Sequence, residues 1–204
     1  VTKAWGLQLG AATSKCFPVK VREQLPEPLL PALAPVLESI LRLTEAIAAY
    51  DDQLEQMAEG RYAHSRLLTQ VSGVGTLTAL TYLWTIRDPK RFTKSRQVGA
   101  YVGLAPSSRA SGQRDPQLRI SKQGNPMLRR LLVQCAHHIL ARPGCDGSLR
   151  SFGLRIAAQG GKRGKKRAVV AIARKLAVLL HHLWKTGEVY EPKLGAVTEL
   201  KNAA

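Results

Sequence analysis

Between Gly103 and Arg130 the chain interleaves hydroxyls with cations. Ser107, Ser108, Ser111 and Ser121 stand among Arg109, Arg114, Arg119, Lys122, Arg129 and Arg130, and Asp115 is the only acid in the stretch. Such a segment suits phosphate chemistry in one of two ways. Hydroxyls and guanidinium groups can hold a phosphate by hydrogen bonds and opposite charge. Alternatively, one hydroxyl attacks phosphorus while the surrounding cations stabilise the charge that develops in the transition state. Ser111, followed by Gly112 and flanked by Arg109 and Arg114, meets the second requirement, and Ser107 and Ser108 nearly match it. Residue types alone leave both chemistries open.

Other constellations fail on spacing. His137-His138 and His181-His182 are adjacent pairs, and helical neighbours lie about 100° apart, so neither pair can face one ion. Asp88, Asp115 and Asp146 each stand alone, so the basic half offers no paired carboxylates for Mg²⁺, and no metal ligand is assigned in this chain. The Gly-rich run at 160–167 lacks the P-loop spacing and any preceding strand. Its Lys162, Arg163, Lys165, Lys166 and Arg167 read as a flexible arm that grips a nucleic-acid backbone. Cys16, Cys135 and Cys145 are odd in number and far apart, which fits inert thiols in a reducing compartment.

Charge points to the same partner. The 204 residues carry a formal +17. Residues 1–60 hold 5 Lys/Arg against 8 Asp/Glu, while residues 61–204 hold 26 against 6. A one-sided excess of this size calls for a polyanion, with nucleic acid ahead of an anionic membrane surface. No run approaches the ~18 apolar residues of a membrane span, and no signal peptide is expected.

The elements that must position the serine loop are helical. Leu33, Val36, Ile40, Leu43, Ile47, Tyr50, Leu54 and Met57 follow spacings of 3, 4, 3, 4, 3, 4, 3, an a/d seam on a helix over 29–60 that Gly60 stops. A coiled coil or antiparallel helix pair is expected there, with 33–57 joining subunits. Downstream, Val71-Ser72-Gly73-Val74-Gly75-Thr76 places a Gly-x-Gly turn between helical stretches, the pattern of a helix–hairpin–helix. Gly73 and Gly75 would let backbone N–H groups approach a phosphate, and Thr76 would cap the second helix. Lys90 and Arg91 add phosphate contacts, and a short helix over 95–102 buries Phe92, Val98, Tyr101 and Val102. Asn125 and Pro126 open a helix as N-cap and first residue. Its Arg129 and Arg130 oppose the helix dipole, as would suit a neighbouring anion. Helices over about 148–158 and 168–185 complete the chain, Gly187 ends the last, and residues 191–204 read as a disordered tail. At the other end, Pro18, Pro26 and Pro28 are expected to break regular structure in residues 1–28.

Several of these motifs occur together in one known group. The runs V-S-G-V-G, R-D-P-K-R-F, V-G-A-Y-V-G-L-A-P, A-S-G and I-S-K-Q-G-N-P-M-L-R-R-L-L, in order between Val71 and Leu132, resemble the C-terminal transposase domain of bacterial insertion-sequence recombinases. Those proteins pair a RuvC-like domain with a serine domain. The resemblance covers roughly residues 61–190 and implies an all-α transposase domain preceded by a coiled-coil linker at 29–60. It makes residues 1–28 the end of the upstream domain. It further implies that Ser111 is the nucleophile, with Arg109, Arg114 and Arg129 stabilising the transition state. The other implied features are an Asp/Glu quartet holding Mg²⁺ in the upstream domain, a structured guide RNA beside the DNA partner, and a place at the nucleoid in a bacterial cytoplasm. Ser72 stands where the family often has Pro, and Ala110 and Gln113 replace its common Ser and Gly. The reading from another class is a helix–hairpin–helix module that binds DNA or RNA without chemistry.

Overall fold

The computed structural model describes residues 2–107, 118–143, 147–159 and 161–192, and among them every regular element is a helix. The all-α class follows from apolar residues that recur at helical spacing throughout. The nearest thing to a strand among the described residues is one isolated antiparallel bridge, Pro106 to Ile120. The chain divides into two compact units, Val1–Gln56 and Met57–Ala204.

In the first unit, α1 (Phe17–Gln24) precedes α2 (Leu30–Gly60). Helix α1 corrects the expectation that the prolines of this region forbid regular structure. Pro18 falls in the first turn of the helix, where its missing N–H would have had no partner anyway. Val21, Leu25, Leu29 and Leu37 form a small core, with Leu7, Leu9 and Phe17 packed on it. Beyond it the heptad seam is open: Leu43 is 64% exposed, Ile47 61% and Tyr50 66%. Gly60 is the last helical residue and so sits inside the helix, two places before C′, which corrects the expected stop.

The second unit is built on α8 (Gly164–Thr186), which buries Val169, Ile172, Leu176, Leu179, Leu180 and Leu183. Around it lie α3 (Ser65–Thr69), α5 (Arg96–Tyr101), α6 (Pro126–Ala141) and α7 (Gly147–Gln159), while α4 (Thr76–Ile86) packs on α3 and α6. The Tyr82 hydroxyl of α4 donates to the Ala177 carbonyl at 2.7 Å and is fully buried. Such a bond removes the cost of burying a polar group in the core. Asn125 caps α6 as its type and the following proline require, accepting from the N–H groups of Met127 and Leu128. Gly187 ends α8 in a left-handed conformation, after which the Tyr190 N–H donates to Gln70 Oε1.

The basic run is not a flexible arm. Gly161–Arg163 form a 3₁₀ turn, and Gly164–Arg167 are the first turn of α8. A Cβ at Gly164 would collide with the Ala157 backbone, and one at Gly153 with Ile172. Two glycines thus let α7 and α8 approach closely enough to hold a self-repelling segment in a helix. Of the proposed tail, residues 193–204 lie outside the described part.

His181 explains one join in this unit. Its Nε2 donates to the Pro89 carbonyl at 2.9 Å, so Nδ1 is left to accept from the Ser95 hydroxyl at 2.9 Å. Burial pushes its pKa down, Lys185 and His182 push the same way, and the Pro89 bond pulls up. A folded-state pKa below the unfolded value of about 6.5 gives stability that is complete above that pH. The melting temperature should therefore fall as pH drops below about 6.5. His181→Gln, although less stable at neutral pH, should flatten that dependence in a thermal denaturation series.

Candidate functional site

The described residues on either side of the serine segment are paired into a stem. The Ser107 N–H donates to Arg119 O at 2.9 Å, that of Ser121 to Ala105 O at 2.9 Å and that of Lys122 to Gly103 O at 3.1 Å. The pairing thus ends at Ser107 on one side and begins at Arg119 on the other. Ser108, Arg109, Ser111 and Arg114 lie outside the described residues. The Ser107 hydroxyl is engaged in the stem, donating to Arg119 O at 2.9 Å.

The foot of the stem is a backbone crossing that only glycine allows. Gly103 has φ +76 and Gly124 φ +75. A Cβ at Gly103 would fall on the backbone of Lys122 and Gln123, and one at Gly124 on the Tyr101 carbonyl. Arg129, on the first turn of α6, fastens this crossing from below. Its Nη1 donates to Val102 O at 3.1 Å and to Gln123 O at 2.8 Å, one carbonyl at each foot. In this geometry Arg129 holds the stem, and its guanidinium is occupied with carbonyls. Arg119, Lys122 and Arg130 are exposed around it, and Lys122 has a left-handed φ of +58.

The Gly-x-Gly turn separates its two glycines by environment. Gly73, at φ +91, packs on α6, where a Cβ would meet His138 at 3.2 Å and Ile139 at 3.3 Å. Gly75 is the N-cap of α4 and faces open space. Thr76 is the first helical residue, and no side chain caps the helix, so the expectation of a Thr76 cap is corrected. Helix α3, before the turn, is only five residues long.

Arg91 is placed by aromatic rings. Its guanidinium carbon lies 5.5 Å from the Tyr101 ring centre and 5.7 Å from that of Phe92, and its Nη1 donates to Ile86 O at 3.0 Å. Lys90 is exposed beside it. Tyr101, expected on the buried face of α5, is 37% exposed, its ring edge-on to Phe92 at 5.3 Å. Arg163, Lys165, Lys166 and Arg167 are exposed at the N-terminal end of α8. There they oppose the helix dipole, as Arg129 and Arg130 do on α6. Among the described residues no group of three His, Cys, Asp or Glu is placed to hold a metal ion. Cys135 is buried against Thr78, and burial raises its thiol pKa.

In sequence, the unit that carries this glycine-crossed stem is similar to transposases. Residues 65–148, from α3 through the start of α7, match the sequence model of the Transposase IS116/IS110/IS902 family. The chain is 35% identical over 151 residues, 74% of its length, to "Transposase for insertion sequence element IS1111A" of Coxiella burnetii. It is 33% identical over 132 residues, 65% of its length, to "Transposase for insertion sequence element IS1328" of Yersinia enterocolitica. The match with the Streptomyces coelicolor "Insertion element IS110 uncharacterized 43.6 kDa protein" is 28% over 172 residues, 84% of the chain. The chain covers 41%, 39% and 40% of these three relatives.

Proposed function

We propose that this chain is the serine half of a DNA transposase, binding DNA and a structured guide RNA and supplying Ser111 as nucleophile. The observation that supports it best is the stem: the residues flanking a segment rich in hydroxyls and cations are joined at a crossing fixed by Gly103, Gly124 and Arg129. Fixed flanks suit a segment that carries a nucleophile, because the reacting atoms must be held close to attack geometry. The Ser111 Oγ–P bond forms as the bond from phosphorus to a sugar oxygen breaks. The serine proton passes to a base and the departing oxygen takes one up, and attack by a hydroxyl of another strand then reverses the steps. Arg109 and Arg114 stabilise the charge on the phosphoryl oxygens, while Arg129 acts by positioning.

Gly73, Gly75, Thr76, Lys90, Arg91, Arg119, Lys122, Arg130, Lys162, Arg163, Lys165, Lys166 and Arg167 supply the nucleic-acid contacts in this reading. In this reading Mg²⁺ is held by an Asp/Glu quartet of an upstream domain. The test uses the chain extended to the full length of its relatives, incubated with Mg²⁺ and end-labelled cognate DNA. A denaturant-resistant adduct on Ser111, identified by peptide mapping, is the expected result. DNA binding without an adduct would favour the non-catalytic binding module.

The open seam of α2 carries the proposed subunit contact. Leu43, Ile47 and Tyr50 repeat at a and d spacing, the pattern two copies of one helix can share. Sedimentation should show a dimer that Leu43→Ser with Ile47→Ser converts to monomer. No described helix is long and apolar enough to cross a membrane.

A further inference from the structure

Helix α4 is buried along most of its surface, yet it leaves Trp84 40% exposed. The indole overlooks a cleft of about 580 Å³ lined by Trp84, Thr85, Arg87, Arg91, Tyr101 and Asn125. That volume lies within the roughly 300–1,000 Å³ of small-ligand sites. We propose that this cleft receives an unpaired nucleotide, its base stacked on the exposed rings and its phosphate held by Arg87 and Arg91. The proposal rests on the nucleic-acid reading above and adds a single-strand subsite to it.

Each wall is fixed before any ligand arrives. Trp84 is held edge-on by Tyr62, with ring centres 5.8 Å apart, and Tyr101 by Phe92 at 5.3 Å. Arg91 is tethered over Tyr101 and bonded to Ile86 O. Arg87 sits at φ 67 and ψ −54, and the Asp88 N–H donates across it to Ile86 O at 2.9 Å. That is a γ-turn with positive φ at its centre, the rarer and strained form of the turn. A non-glycine residue held this way costs on the order of 1–3 kcal/mol, and such strain clusters at ligand sites.

The chemistry favours a base face over a base edge. Asn125 Oδ1 already accepts from Met127 and Leu128, its Nδ2 donates to Thr85 Oγ1 at 3.3 Å, and Thr85 Oγ1 donates to Thr81 O. With its polar floor engaged, the cleft reads rings and charge and has little with which to read sequence. In a duplex the base faces are stacked on one another, so an unpaired base is the form that offers a free face.

The test measures binding of the chain to labelled oligo(dT), oligo(U) and a DNA duplex of equal length by fluorescence anisotropy at one salt concentration. Trp84→Ala should weaken single-strand binding by roughly 5- to 150-fold, the range of one lost stacking contact. Duplex binding should stay within about twofold if duplexes are held by backbone contacts elsewhere. Trp84→Phe should recover most of the loss, and Tyr101→Ala, at a separate ring, should show it independently. Equal losses on oligo(dT) and oligo(U) assign the subsite to any unpaired base, and a loss on one alone assigns it to that strand type. The inference is overturned if both alanine variants bind single strands as the parent does, or lose duplex binding equally. It also falls if the parent binds duplex and no single strand. A parent that binds neither overturns the nucleic-acid reading itself.

Discussion

Ser111→Ala, in a chain extended to the length of its relatives, should lose strand cleavage and adduct formation by at least roughly three orders of magnitude, as nucleophile removal does elsewhere. Binding to DNA and the melting temperature should be unchanged, since the substitution removes one oxygen from a loop held by its stem. Alanine at Ser107 should behave differently, because that hydroxyl donates to Arg119 O within the stem. Arg129→Lys should lower activity and melting temperature together. Lysine cannot reproduce a planar guanidinium whose Nη1 reaches the carbonyls of Val102 and Gln123. A Ser111→Ala protein that still forms the adduct would remove Ser111 from the mechanism.

The second large effect is expected at the crossing. Gly103→Ala and Gly124→Ala each add a left-handed strain of about 1–3 kcal/mol and a backbone overlap of about 1–3 kcal/mol. Each should therefore destabilise the second unit by about 2–6 kcal/mol in denaturant unfolding. Neither overlap can be relieved by a rotamer change, because the neighbours are the backbone of Gln123 and the carbonyl of Tyr101. Gly75→Ala, facing open space at ordinary φ, is the control and should cost little. If Gly103→Ala melted with the parent, the crossing could not be what holds the loop.

Those two outcomes rest on features of unequal visibility in the sequence. The start of α6 was legible because Asn125 and Pro126 act locally, on their own helix end. The buried face of α8 was legible because Val169, Ile172, Leu176 and Leu183 keep helical spacing. The stem was not, since Ala105, Pro106 and Ser107 show no alternation and pair across a gap of more than ten residues. The basic run looked mobile because like charges repel, and composition does not reveal that the glycines confining it meet Ala157 of α7 and Ile172 of α8. Arg129 read as an anion contact because its type suits one, whereas its carbonyl partners come from either side of the stem. The cleft was missed for a related reason. Trp84 lies in an apolar helix, and nothing in its sequence neighbours marks it as the exposed ring.

The stem has a bearing on how the loop can change. Because Ser107 and Arg119 are hydrogen-bonded neighbours, the ends of the intervening segment stay together whatever that segment contains. The entropy of closing it grows only slowly with length, by about 0.6 kcal/mol per doubling. A change in the length of the segment between 107 and 119 should therefore cost the fold little, while Gly103, Gly124 and Arg129 keep its two ends paired.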